Sequence, residues 1–240
     1  DADADADSPC SFTESRTLDL ASNDGNYICP AIAVASDGTV YIITTEADDD
    51  MTWVGIGTSA GWSALPIEYT GSPDYCDLSI DVSPTGHLYS IHTDRSGPAR
   101  TDLVSDESGE TILYNEFFGA TYWSHDIAVD ELGRIHMVGK SGPNVSYKRY
   151  DGVEDEISFW ASLGEGIGTR RLALVLHGTD VHLAWTDAAN TINVSLMDDT
   201  HIWQTESVDT SNPPDGQPML GVAPDGTRWR AWYSPRGSGD

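Results

Sequence analysis

The chain has 240 residues, with 12 Lys+Arg against 39 Asp+Glu and a formal charge of −27. Nucleic acids and anionic lipid surfaces are bound by basic patches that release counterions, and with two lysines, Lys140 and Lys148, and ten arginines the chain has few residues for one, so nucleic acid is not expected as a partner. No run of 18 apolar residues occurs, which excludes a membrane-inserted helix, whereas 39% hydrophobic residues suffice for the core of one all-β domain.

In chain order, the first segment is DADADADSPC (1 to 10), which reads as an acidic tail or linker. Its alternation would also let it add a strand to a neighbouring sheet, although Asp is a poor strand residue. FTESRTLDL (12 to 20) follows and has the pattern of an outermost strand; compare IWQTESVDT (202 to 210). Then a phrase begins that recurs through the chain: an apolar run, a Gly-bearing turn, and an alternating run. Its copies are IAVASDGTVYIITT (32 to 45), IDVSPTGHLYSIHT (80 to 93), IAVDELGRIHMVGK (127 to 140), ALVLHGTDVHLAWT (173 to 186) and LGVAPDGTRWRAWY (220 to 233). The valines Val34, Val82, Val129, Val175 and Val222 are spaced by 48, 47, 46 and 47 residues.

Each copy predicts two strands joined by a tight turn, because SDG, PTG, ELG and PDG hold residues that accept turn dihedrals. Two more strand-like runs complete most periods: TWVGIGT and WSALPIEY, VSYKRY and ISFWASL, INVSLM and IWQTESV. Four antiparallel strands repeated radially make the blade of a β-propeller. The sequence therefore predicts a single domain over 1 to 240 with five blades. The first four span about 29–75, 76–123, 124–170 and 171–217. The last copy stops after its second strand, so the fifth blade is expected from 218–240 plus 11–28, closed by pairing N- and C-terminal strands.

These blades resemble those of small five-bladed propellers. The turns SLMDDTHIW (195 to 203), VSDESGETI (104 to 112) and GTSAGW (57 to 62) resemble degenerate Asp-box turns of the sialidase-type repeat. The resemblance implies that such turns are structural and lie away from the ligand face.

The opposite face collects the entrances of the innermost strands and the exits of the second strands. Aligned entrances hold Cys29, Asp77, Ser124, Arg170 and Gln217, then Pro30, Leu78, His125, Arg171 and Pro218. These columns differ in chemistry from blade to blade, so one site near the axis is expected instead of five equal ones. Its candidate residues are Asp77, His125, Asp126, Arg170, Arg171, Trp185, Trp232 and Tyr233. His125 can act as base, acid or ligand near neutral pH, and Arg170 or Arg171 can hold a carboxylate bidentately. Together they have the chemistry of a polysaccharide lyase, which must neutralise a uronate before removing its α-proton. The alternative is structural, with His125 bonding a loop and the arginines paired with abundant Asp. Trp185, Trp232 and Tyr233 either stack on a sugar ring or fill space between blades.

Other residues have more ordinary roles. Tyr41, Tyr89, His136, His182 and Trp229 share one column of the second strand and are read as packing side chains. EADDDM (46 to 51) has the oxygen ligands for Ca²⁺, though such a run is more often simply solvated; no other cofactor is implied and the metal stays unknown. NVS (144 to 146) is a glycosylation triplet. Cys29 and Cys76 fall at adjacent entrances, where a disulfide would form on secretion, with Cys10 left over. Zinc spacings, phosphate loops and nucleophile elbows are absent from the sequence.

The acid bias suits a halophilic, secreted or surface-tethered setting. The expected function is carbohydrate binding, lectin-like, at a single axial funnel. The alternatives are the lyase using His125 with Arg170 or Arg171, and a non-catalytic surface interaction module.

Overall fold

The computed structural model describes residues 27–46, 51–67, 78–94, 100–105, 111–113, 125–141, 144–151, 157–165, 172–187, 189, 191–198, 201–208, 218–223 and 225–232. Among these there is no helix. The first sheet holds β1 (Tyr27–Val34), β2 (Val40–Glu46), β3 (Met51–Thr58) and β4 (Gly61–Ile67). The second holds β5 (Leu78–Val82), β6 (Leu88–Asp94), β7 (Arg100–Ser105) and β8 (Thr111–Leu113). The third holds β9 (His125–Val129), β10 (Ile135–Ser141), β11 (Asn144–Tyr150) and β12 (Ile157–Glu165). The fourth holds β13 (Ala173–His177), β14 (Asp180–Thr186), β15 (Ile192–Met197) and β16 (Trp203–Val208). A two-stranded sheet of β17 (Pro218–Val222) and β18 (Arg228–Trp232) ends the series. Every pairing is antiparallel and follows chain order, as hairpin-connected runs dictate.

The recurring turn works as its sequence requires. In four copies the chain reverses through a three-residue loop with a glycine in the left-handed region: Gly38 (φ 84°), Gly86 (φ 90°), Gly133 (φ 77°) and Gly226 (φ 82°). The same two backbone bonds recur, as in Gly38 N to Ala35 O (2.9 Å) and Ala35 N to Thr39 O (2.8 Å). This is a type I turn closed by a bulge, and a side chain at that glycine would be strained. In the fourth sheet the loop shortens to Gly178 and Thr179, between His177 and its partner Asp180. In the β3–β4 hairpin, the Trp62 ring lies 2.7 Å from where a Cβ on Gly57 would sit, so glycine is needed there for packing.

The core lies between sheets. Alternation along each strand gives a sheet two apolar faces, and the facing sides of consecutive sheets cover each other. Ile43 and Val54 of the first sheet pack with Ile80 and Leu88 of the second. Tyr89 and Ile91 meet Ile127, Ile135 and Met137. Val138, Val145 and Tyr147 meet Leu174, Leu183 and Trp185. Ala184, Ile192 and Val194 are covered by Leu220 of the fifth sheet. Strands β1, β5, β9, β13 and β17 consequently stand side by side in chain order.

Candidate functional site

Neighbouring first strands belong to different sheets and share no ladder, so their facing backbone groups need other partners. Side chains supply them. Asp126 Oδ2 accepts from Leu174 N at 2.8 Å in the next sheet, while its Oδ1 accepts from Ile127 N at 2.9 Å. Asp81 repeats the arrangement, with Oδ2 on Val129 N (2.6 Å) and Oδ1 on Val82 N (2.8 Å). Ser79 Oγ donates to the carbonyl of His125 at 3.0 Å. Burial raises the Asp81 carboxyl above its ordinary value, against the pull of these two N–H groups. Asp126 Oδ2 therefore staples β9 to the next sheet while Oδ1 is spent on its own strand, a role that the sequence reading missed. The signal was available: a carboxylate on an otherwise apolar inner strand needs a backbone partner.

His125 is the first residue of β9, paired with Gly139, and only 7% exposed. The inner strand starts at His125 itself, so the ring stands at a strand end and is buried. Trp185 is buried at 2% exposure in the cluster with Val138, Val145 and Tyr147. No face of its ring is open to a sugar, so of the two roles read from the sequence it fills the space between sheets. Trp232 ends β18 opposite Pro218, which puts its backbone on the entrance side of the first strands. Asp77, Arg170, Arg171 and Tyr233 lie outside the described residues, as do Cys10, Cys76 and Asp48, Asp49 and Asp50 of the suggested calcium loop. Of the glycosylation triplet, Asn144 opens β11 and the next two residues, Val145 and Ser146, are each 1% exposed.

The column read as packing residues contains more chemistry than expected. His136, 1% exposed, stands between Asp130 Oδ2 at 3.1 Å from Nε2 and the Tyr147 hydroxyl at 2.6 Å from Nδ1. A carboxylate only accepts, so Nε2 carries the proton and Nδ1 accepts from Tyr147. Asp130 also accepts from Leu132 N and Arg134 N (each 2.9 Å) and from Arg134 Nε (2.5 Å). Burial by itself would raise this carboxyl; the bonds from His136 and Arg134 outweigh it and hold the group below its ordinary value. Tyr147 is fully buried, its hydroxyl pushed well up by burial, with its ring edge-on to Trp203 at 5.1 Å. The triad is buried and held by its own bonds, as a structural network is, and of its members only His136 borders a cavity.

Protonation of these histidines couples to stability. Burial lowers His136, partly offset by Asp130, and burial followed by the Arg228 charge lowers His182. Unfolded histidine titrates near about 6.5, so below that pH the unfolded chain binds more protons than the folded one. Stability is then lost as pH falls from about 6.5 towards the folded values. Melting temperature should be flat above pH 7 and decline between about pH 6.5 and 5. A profile level across that window would contradict the buried neutral state of both rings.

No protein-family model matches the chain, and no curated protein matches it in sequence. Solved structures match in fold. Hydrazine synthase of Kuenenia stuttgartiensis is 16% identical over 84% of this chain, at a TM-score of 0.57. The SapL1 lectin, solved in complex with alpha methyl fucoside, is 11% identical over 85% of this chain and 71% of its own, at 0.62. The α-L-arabinofuranosidase Arb93A from Fusarium graminearum, solved with an iminosugar inhibitor, is 8% identical over 89% of this chain and 76% of its own, at 0.60. The chain spans 61% of the length of the hydrazine synthase chain, less than two thirds. At these identities the likeness establishes an all-β, propeller-like architecture of four-stranded antiparallel sheets.

Proposed function

We propose that residues 1–240 form one closed five-bladed β-propeller that binds a carbohydrate at a single site on its axis. The observation that carries this reading is the row of first-strand entrances, brought side by side, whose aligned positions hold Asp77, His125, Arg170 and Arg171 and differ from sheet to sheet. Trp232 ends β18 on the same side, and with Tyr233, the next residue in sequence, it would offer aromatic surface for a sugar ring. Two proteins of the same architecture handle sugars, one a lectin solved with a fucoside and one an arabinofuranosidase solved with an iminosugar. Burial of His125 favours binding over elimination, because a lyase base must reach the α-proton of a uronate. The acidic composition suits a secreted protein that works in salt.

A glycan array followed by calorimetric titration of any hit tests the proposal. The expected result is one ligand per chain, with binding lost in the Arg170→Ala, Arg171→Ala double variant and weakened about tenfold or more in Trp232→Ala. Five equivalent sites per chain would refute a single axial site. New unsaturated ends appearing by ultraviolet absorbance would replace binding with the lyase.

A further inference from the structure

At the end of the sheets opposite the first-strand entrances, between the third and fourth sheets, lies a pocket of about 110 Å³. Its walls come from the β9–β10 turn with Leu132 and Arg134, from His136 of β10 and Arg149 of β11, from Thr179 of the β13–β14 turn, and from Met197, Asp198 and His201 at the β15–β16 turn. Two of the chain's 12 Lys+Arg thus meet in one cavity of a protein with charge −27.

The carboxylates around the pocket are already committed. Asp130 takes four hydrogen bonds from Leu132, Arg134 and His136, as described above. Asp151 holds Arg149 with both oxygens, at 2.8 Å from Nε and 3.3 Å from Nη2. Asp198, also in the wall, has a partner of its own. Arg149 Nη1 lies 2.8 Å from His201 Nε2, and since guanidinium only donates, the His201 proton sits on Nδ1. His201 is held there in an unusual conformation, at φ 60°. Arg134 differs from Arg149: it spends Nε on Asp130, and among the described residues nothing accepts from its two terminal nitrogens. A guanidinium edge with unused donors, beside apolar Leu132 and Met197, suits a planar oxyanion joined to a short apolar body. The volume equals about three to four waters, which admits a carboxylate and a few carbons. Leu132 (72% exposed) and Ile202 (63% exposed) extend the apolar rim beyond it.

We propose that this pocket is a second binding site, remote from the axial one, for a small carboxylate with an apolar body, held by the Arg134 terminal nitrogens over Leu132 and Met197. The site does not depend on the axial reading, since none of its residues lies at the entrances. Butyrate, acetate and butyramide are suitable probes, titrated into the full chain at 0.15 M NaCl while the His201 imidazole is followed by NMR. Butyrate should shift the His201 signals saturably, acetate more weakly, and butyramide, which has the same body without the charge, not at all. Arg134→Gln should weaken butyrate at least tenfold. Because Arg134 also bonds Asp130, a second variant, Thr179→Trp, fills the mouth from an exposed turn residue and leaves every charge in place; it should abolish the shift with the melting temperature unchanged. Equal binding of butyramide, a linear shift without saturation, or undiminished butyrate affinity in Thr179→Trp would each overturn the proposal.

Discussion

Asp130→Ala is expected to be the most damaging single substitution within the described sheets, costing about 3–5 kcal/mol. The carboxylate is 3% exposed and serves two backbone N–H groups, the Arg134 Nε and the His136 Nε2 at once. Removing it leaves four donors facing a void, and an unsatisfied buried donor costs more than a formed bond contributes. Asp130→Asn separates the parts. Its oxygen still serves Leu132 N and Arg134 N. Its amide can donate to His136 Nε2 only if the ring adopts the other tautomer and Tyr147 becomes the acceptor. Arg134 Nε alone then loses its partner, so the asparagine variant should lose roughly half as much as the alanine variant. For a chain of this size each kcal/mol shifts the melting temperature by about 2–4 °C. Urea and thermal unfolding of both variants check this; an alanine variant within about 1 kcal/mol of the wild type would mean that the network is solvated.

What the sequence made legible follows from how local each signal is. The turn glycines were readable because a left-handed residue is a demand of one position, and Gly38, Gly86, Gly133 and Gly226 all meet it. The four-stranded sheets were readable because alternation is also local. Asp126, His125 and Trp185 show where this stops. Asp126 looked like a ligand residue beside His125, yet its partner is the amide of Leu174, 48 residues away in another sheet. A sequence shows a carboxylate; which backbone group it meets depends on how two sheets lie against each other. Trp185 could have faced solvent or a neighbouring sheet. Its position on the same face as Val181 and Leu183 turns it towards the third sheet, a fact of inter-sheet packing that strand periodicity alone does not assign. The Asp130, His136 and Tyr147 triad was hidden for the same reason: its members come from a turn and two strands, at unremarkable spacings.

Ile32→Ser and Trp229→Ser should be strongly coupled in stability, as the closing contact of the proposed ring. The repeat makes Ile32 equivalent to Ile80 and Ile127, which are 8% and 4% exposed because each packs on the preceding sheet; Ile32 is 65% exposed. Trp229 is equivalent to Tyr41 and Tyr89, which face the following sheet: Tyr41 donates its hydroxyl to Gly86 O at 3.3 Å, and Tyr89 is 9% exposed among Ile127 and Met137. Trp229 is 67% exposed, and so is most of Met219 on the same face, whereas Leu220 on the opposite face covers the fourth sheet. The first and last sheets thus each present an apolar face with no cover among the described residues, and they are the faces that a closed ring would bring together. Burying a side chain of this size contributes about 1.5–3 kcal/mol. If the ring closes, each serine variant should lose about 2 kcal/mol or more, and the double variant should lose less than their sum by about 1 kcal/mol, the signature of two residues in contact. Deleting residues 1–20, which hold the strand expected to complete the fifth blade, should lower the melting temperature further, whereas deleting residues 1–7 alone should leave it unchanged. Single losses under about 0.5 kcal/mol with no coupling would show that the two faces never meet. The ring would then be completed by something other than its own first and last sheets.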